Sequence, residues 1–300
     1  MVAQTNNVVD ISQWRKSAVM DMDERQFQQW TELLAKRTGI SLPESRRSFL
    51  LTSLNIRMYE LAIESYQAYY NYLLSGHEGH IEWETLVDRL TVHETRFFRD
   101  QNALKLIRDV YLKQLAAKPE QDSINMWSVG CATGEESYSL AIELDDYLKN
   151  SGKNYYYAVT GSDISSAAIM TARKGIYKTN RLTNVPEYFL CHYLDKQDES
   201  TFQVKEFLRN RVCFNQINLL DFRNTKVGLM DIIFCQNVLI YFKREQRLKI
   251  LNSLVENLKE GGLLVLGAGE IHGWAHPEIE AVPYEGTLAF RRIEKYESEV

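Results

Sequence analysis

The chain has 300 residues, 45% of them hydrophobic and 25% charged, with a formal net charge of −5. That is enough apolar material for a soluble core, and the length suggests two domains. The acidic balance argues against nucleic acid as the default partner, because phosphate-binding domains are usually basic. No apolar run approaches the roughly 18 residues of a membrane span. The start, MVAQTNNVVDISQWRK, lacks the apolar centre of a signal peptide. The expected location is therefore cytoplasmic, without membrane insertion. The four cysteines, Cys131, Cys191, Cys213 and Cys235, include no C-x-x-C pair. Cys213 and Cys235 fall in apolar strand-like runs, which suggests buried thiols in a reducing compartment. No Cys/His spacing suggests a metal site.

Residues 1–20 are polar and irregular and read as a loose leader. Residues 21–92 read as a small all-helical domain. Phe27, Trp30, Leu33 and Leu34 repeat at helical spacing, and Gly39 stops the run. Pro43 suits the first turn of a second helix, whose Leu50, Leu51, Leu54, Met58 and Leu61 form one stripe. Arg46 and Arg57 are eleven residues apart, about 20° of net rotation on an α-helix, so they are expected on one basic side of it. A third helix carries Tyr66, Tyr69, Tyr70, Tyr72, Leu73 and Leu74. Residues 76–80 read as a linker, and a last helical segment carries Trp83, Leu86, Val87 and Leu90. Charged and aromatic residues crowd the junction at 91–100, TVHETRFFRD, before a helix to about residue 117.

Residues 124–139, INMWSVGCATGEESYS, organise the rest. An apolar strand breaks at Gly130, small residues run to Gly134, and Glu135 and Glu136 open a helix. This is how an open α/β sheet offers a helix start to a ligand. It is neither a G-x-G-x-x-G dinucleotide turn nor a P-loop. Two acids oppose a pyrophosphate and favour a cationic or neutral ligand, such as the positively charged nucleoside S-adenosylmethionine. Acids in a first helical turn also occur for dipole reasons alone. A strand at 155–160 ends in Gly161-Ser162-Asp163, and a helix with Ala167, Ala168, Ile169 and Ala172 ends at Gly175. Residues 176–211 are too long for an α/β connection and read as an inserted subdomain. Strands at 212–217, 231–235 and 263–266 follow, the last after a helix at 243–260 that Gly261-Gly262 terminates. Residues 286–293 read as a final strand, antiparallel to the rest. Alternating strands and helices give a doubly wound sheet.

Strand ends carry the candidate chemistry, because ligands of such sheets lie beyond them. Asp163 can accept from both hydroxyls of a ribose, or cap the helix starting at Ser165. Asn218 can meet an adenine edge, or simply turn the chain. Asn237 follows a fully apolar strand, and a buried Asn there needs partners.

The chain resembles the CheR family of chemotaxis receptor methyltransferases. The matching stretches are HETRFFR at 93–99, WSVGCATGEE at 127–136, SDI at 162–164, INL at 217–219, DIIFCQNVLIYF at 231–242, and Gly261-Gly262 through GAGE at 267–270. The resemblance implies a small helical N-terminal domain and a Rossmann-like class I methyltransferase domain over residues 93–300, with the β-subdomain inserted at about 176–211. It implies S-adenosylmethionine as cofactor, S-adenosylhomocysteine as product, and contacts from His93, Thr95, Arg99, Gly130, Glu135, Glu136, Asp163, Asn218, Leu219, Gln236 and Asn237. It places Arg99 and Tyr241 near the reacting carboxylate. Arg46 and Arg57 are the candidate receptor-binding residues. The implied activity is protein-glutamate O-methylation of chemoreceptor helices. The alternative is a non-catalytic S-adenosylmethionine-binding adaptor of a chemosensory complex. Three departures stand out: the family usually has Asn at the place of His93 and Arg at the place of Gln236. Its receptor-tethering members also carry a glycine-rich turn where residues 195–201 have no glycine. The last counts against tethering to a receptor's C-terminal peptide. A homologous branch serves pilus-based motility.

Overall fold

A computed structural model describes residues 22–91, 94–115, 123–151, 155–221 and 227–294. The expected leader at 1–20 and His93 lie outside the described residues.

The N-terminal helices form as their sequence patterns dictate. Helix α1 (Glu24–Thr38) starts at Asp23, whose carboxylate accepts from Gln26 N while Gln26 reaches back in a capping box. It ends at Gly39, in the left-handed conformation that glycine adopts without a Cβ penalty. Helices α2 (Arg47–Glu60), α3 (Tyr66–Leu73) and α4 (Gly76–Leu90) follow. Trp30, Leu34, Leu50, Leu54, Tyr69, Leu73 and Leu86 are buried at their centre. Each buried leucine contributes about 1.5–3 kcal/mol relative to exposure. The expected linker at 76–80 is instead the first turn of α4. Gly79 makes this possible, because a Cβ there would lie 2.2 Å from the Tyr72 carbonyl oxygen.

Helix α5 (Gln101–Leu106) runs through a π-helical turn (Ile107–Leu112) into α6 (Lys113–Leu115). The α/β body then comprises β1 (Ser123–Val129), α7 (Glu135–Ser151), β2 (Tyr156–Asp163) and α8 (Ser166–Lys174). The insertion follows, with β3 (Ile176–Lys178), a 3-10 turn (Thr179–Arg181), α9 (Glu187–Tyr193), β4 (Leu194–Lys196), β5 (Thr201–Val204) and α10 (Glu206–Arg209). The body resumes with β6 (Val212–Gln216), β7 (Met230–Cys235), α11 (Arg244–Glu256), β8 (Leu258–Leu266), β9 (Ile279–Tyr284) and β10 (Thr287–Arg292). The insertion is its own three-stranded antiparallel sheet, ordered β3-β5-β4.

The main sheet is ordered β6-β2-β1-β7-β8-β10-β9, parallel from β6 to β8 and antiparallel at β10 and β9. Chain order reverses between β1 and β7, which makes the crevice at their carboxyl ends the expected ligand site. Register brings the relevant residues level: Val129 pairs with Ser162 on one side and with Cys235 on the other. Gly130, Asp163 and Gln236 therefore leave the sheet together.

Two expectations near the end are corrected. Helix α11 stops at Glu256, capped by Asn257, and Gly261-Gly262 lie inside β8. Gly261 has φ 74°, and the β7–β8 register shifts between Met230 and Ile232, so the glycines absorb an irregularity rather than end a helix. Cys213 is exposed on the edge strand β6, whereas Cys235 is buried as expected.

The helical domain meets the sheet through short backbone contacts. Ile40 bridges Phe242 in antiparallel fashion, and Ser41 N donates to the Tyr241 carbonyl at 2.8 Å. Gly39 permits this approach, since a Cβ there would meet the Phe242 ring at 2.5 Å. The helices thus roof the crevice that the sheet opens. Among the described residues, no helix is long and apolar enough to cross a membrane.

Candidate functional site

The roofed crevice is a cleft of about 300 Å³, within the volume range of small-molecule sites. Gly130, Asp163, Asn218 and Asn237 line it from four strand ends. Thr95, Arg99, Glu136, Leu219, Gln236, Tyr241 and Arg46 line it as well. The structure thus brings together most residues named from sequence. Glu135 and Arg57 do not join them.

The glycine turn is held from below and behind. Gly130 has φ 68°, and a Cβ there would lie 2.2 Å from Val238 Cγ2, so the turn demands glycine twice over. Asp163 Oδ2 accepts from Ala132 N at 2.9 Å, and Oδ1 accepts from Ser165 N at 2.9 Å. Ser165, not Asp163, caps α8, accepting from Ala168 N. Asp163 therefore fixes the turn while its carboxylate still faces the cleft. A carboxylate offers about four lone-pair sites, and each oxygen of Asp163 takes one backbone amide.

Glu135 and Glu136 are neighbours about 100° apart around α7, and they part company. Glu135 is buried, accepts from Thr133 Oγ1 at 2.6 Å, and points to the insertion. Glu136 lines the cleft and accepts from Ser128 Oγ at 2.7 Å. Burial pushes the Glu136 carboxyl up to about 8, against the pull of the Ser128 hydroxyl and the Arg99 charge. The nearby Glu270 and Asp100 push the same way as burial. A group held this way ionises when a cation is placed beside it. Cys131, in the turn itself, is buried and its thiol is pushed well up, so it presents no thiolate.

The opposite wall comes from the junction and from β7. Arg99 Nη1 donates to the Glu94 carbonyl at 2.8 Å, and Arg99 is an exposed residue that lines the cleft. Asp100 caps α5 through Ala103 N, and its other oxygen accepts from Gln236 Nε2 at 2.8 Å. Asn237 is exposed with φ 62°, a left-handed conformation in which Asn is enriched. Its exposure corrects the expectation of a buried amide. Asn218 uses both ends of its amide, donating to the Arg37 carbonyl and accepting from Leu220 N. It lines the cleft while tying the roof to the sheet.

Two residues were not named from sequence. Glu270 is buried, and its carboxylate accepts from the backbone amides of Val238, Leu239 and Gly267. It shapes the loop after β7 from a turn 32 residues away in sequence. The acid in GAGE at 267–270 was visible, but its role needed the fold. Arg96 also lines the cleft, beside Arg46 and Arg99.

Arg46 and Arg57 do not share a face. Arg46 belongs to a 3-10 turn (Glu44–Arg46), so the 3.6-residue period does not carry from it into α2. Its guanidinium lies 5.7 Å from the Tyr241 ring centroid, at the cleft. Arg57 is instead paired with Glu82, at 2.8 Å through Nε, and with Glu60. Tyr69 Oη donates to the same Glu82 at 2.6 Å. Arg57 is spent inside the helical domain.

A crevice at the switch point of a mostly parallel sheet, lined by carboxylates and without a phosphate-binding turn, is where an α/β protein of this topology binds a small-molecule ligand. The family model described as "CheR methyltransferase, SAM binding domain" matches residues 93–280, and "CheR methyltransferase, all-alpha domain" matches residues 25–91. The chain is 32% identical over 235 residues to a chemotaxis protein methyltransferase of Borreliella burgdorferi, covering 77% of this chain and 83% of that one. It is 33% identical over 264 residues to the Escherichia coli K12 chemotaxis protein methyltransferase, covering 85% and 89%. Chemotaxis protein methyltransferase 2 of Pseudomonas aeruginosa is 33% identical over 81% of this chain and 85% of that one. The chain belongs to the CheR methyltransferase family. It is an S-adenosylmethionine-dependent methyltransferase, and its cleft is lined by two carboxyl groups that suit a nucleoside with a cationic group, Asp163 at the end of β2 and Glu136 on α7.

Proposed function

We propose that the chain transfers a methyl group from S-adenosylmethionine to glutamate side chains of a chemoreceptor, giving glutamate methyl esters and S-adenosylhomocysteine. The observation that carries this reading is that Asp163 and Glu136 open into the same cleft as Arg99, Arg46 and Tyr241. A nucleoside site and a carboxylate-holding site are thereby one cavity.

Bound S-adenosylmethionine supplies an electrophilic methyl on a sulfonium. The residues of this chain then have simple tasks. Asp163 holds a ribose diol, and Glu136 faces a cationic group. Arg99 holds the incoming carboxylate in its planar fork. A glutamate, with a solution pKa near ~4.3, is already ionised at neutral pH, so no general base is required. Opposite charges cancel as the methyl moves, which a dry cleft favours. The main contribution of the enzyme is alignment. Arg46, stacked on Tyr241 at the mouth, meets the acidic surface around the target. The free thiols fit a cytoplasmic setting, and receptor helices are the partner. Residues 195–201 carry no glycine, which counts against tethering to a receptor's C-terminal peptide.

The test is incubation with methyl-labelled S-adenosylmethionine and candidate receptors, followed by base. Esters release label as methanol, whereas methylated amines retain it. Label that survives base would sink the ester reading.

A further inference from the structure

No residue of the insertion, 176–211, lines the cleft, yet the insertion grips two of the cleft's walls. Tyr177 Oη donates to the Thr133 carbonyl of the glycine turn at 2.7 Å. Phe97 meets Tyr177 edge-on at 4.9 Å, and Phe98 stacks on Phe189 at 5.5 Å. The insertion also contributes a cation to this contact. Arg181 Nη1 donates to the Thr95 carbonyl at 2.7 Å and lies 3.9 Å from Glu135 Oε1. Thr95 belongs to the segment that presents Arg99. Glu135 opens the helix whose next residue is Glu136. One guanidinium therefore spans the wall that holds the acceptor and the wall that meets the donor.

The base of Arg181 is fixed as well. It ends the 3-10 turn that begins at Thr179. Thr179 donates to the Ser200 carbonyl twice, from N at 2.8 Å and from Oγ1 at 3.0 Å. Ser200 is held in turn by Asp198, which accepts from Ser200 N at 2.7 Å and from Thr201 N at 2.9 Å. A long side chain anchored at its base holds its head with less entropic loss. Nothing in packing requires an arginine here, because its side chain is 44% exposed. What the position needs is reach, charge and a donor.

We propose that Arg181 is a positioning residue for methyl transfer, setting the distance between the segment of Arg99 and the helix start of Glu136 from outside the cleft. This rests on the reading that the cleft joins S-adenosylmethionine to a carboxylate acceptor. The tests are Arg181→Met and Arg181→Lys in the full chain. Losing a charge-assisted bond at a partly exposed position predicts about a tenfold effect. Arg181→Met should raise the Kd for S-adenosylhomocysteine and lower the single-turnover rate by about that factor, with receptor KM and Tm unchanged. Arg181→Lys keeps a donor for the Thr95 carbonyl and a charge beside Glu135, so it should recover more than half of each loss on a logarithmic scale. Wild-type Kd and turnover in Arg181→Met overturn the proposal. So do losses that Lys shares equally with Met and that track a fall in Tm, since those mark a role in stability alone. If the wild-type protein methylates no receptor, the functional reading fails, and the S-adenosylhomocysteine titrations still decide the case of Arg181.

Discussion

Substituting Glu136 by Gln should change how donor binding responds to pH. In the ligand-free cleft the Glu136 carboxyl is pushed up to about 8, chiefly by burial. At pH 7 the protonated form then predominates. On the proposed reading, a cationic group of S-adenosylmethionine beside this carboxyl stabilises the ionised form, and binding expels the proton. Binding is therefore weaker where the proton must first be removed. With the ligand-free carboxyl pushed up to about 8 and its proton expelled on binding, affinity should rise between about pH 6.5 and 9. The α-amino group of the ligand titrates over the same range, so the informative quantity is the difference between wild type and Glu136→Gln. Calorimetry at pH 7 in buffers of different ionisation enthalpy should show close to one additional proton released by the wild type. Stability provides an independent check. The folded value lies above the ordinary 4.5, so the native state binds more protons than the unfolded chain between about pH 4.5 and 8. Stability of the ligand-free protein should fall as pH rises through that window, and Glu136→Gln should remove the fall. Identical proton release by both proteins would refute the reasoning.

Arg99→Ala should fold normally and lose on the order of 100-fold in single-turnover transfer at saturating donor and receptor. Arg99→Lys should recover little, because an ammonium lacks the bidentate fork; near-wild-type transfer by Arg99→Ala would take it out of the site. Asp163→Ala should weaken S-adenosylhomocysteine by at least about tenfold. It should also lower Tm, since two backbone amides lose their acceptor. A drop in Tm with unchanged affinity would leave Asp163 a purely structural role. Arg46→Glu should raise receptor KM in a salt-sensitive way and spare donor affinity. Arg57→Ala should instead cost about 3–5 kcal/mol of stability in denaturant titrations, because Glu82 stays buried and hydrogen-bonded to Tyr69 but loses its cation.

The body of the fold was legible where periodicity was long and strong. Strand β7 is buried at every position, and its run MDIIFC reads as a core strand from composition alone. Strand β9 was missed because IEAVPY carries a charge and a proline, and it forms only by pairing with β10. The start of β8, with Lys259, Glu260 and two glycines, reads as a helix tail followed by a turn. Pairing with β7 overrides that local preference. The insertion's strands have three or four residues, too few for any period to show. Gly130, Asp163, Asn218 and Asn237 were legible because they stand at strand ends, where one-dimensional order maps onto one edge, whereas Thr95 and Arg99 were named only through the family resemblance. Residues that act across the sequence were not. Arg181 reaches Thr95 over 86 positions and Glu270 reaches Val238 over 32, and no local pattern encodes such distances.

Gln236 shows how a departure from the family pattern becomes chemistry. It is buried beside the cleft, and its amide Nε2 donates to Asp100 Oδ2 and, at 3.3 Å, to the Leu266 carbonyl. A neutral amide thus satisfies the acid without cancelling its charge. That uncancelled charge is among the groups that raise Glu136. An arginine at this place would pair with Asp100 and add a cation near Glu136, and both effects favour the ionised carboxyl. Gln236→Arg should therefore lower the Glu136 value and make the ligand-free cleft release its proton at lower pH. The proton released on binding S-adenosylmethionine at pH 7 should shrink in this variant, and affinity should depend less on pH between about 6.5 and 9. Gln236→Leu separates charge from hydrogen bonding, because it leaves Asp100 without its partner but adds no cation. It should keep or raise the proton release while loosening the start of α5. Equal proton release in wild type and Gln236→Arg would mean that residue 236 shapes the cleft without setting its charge.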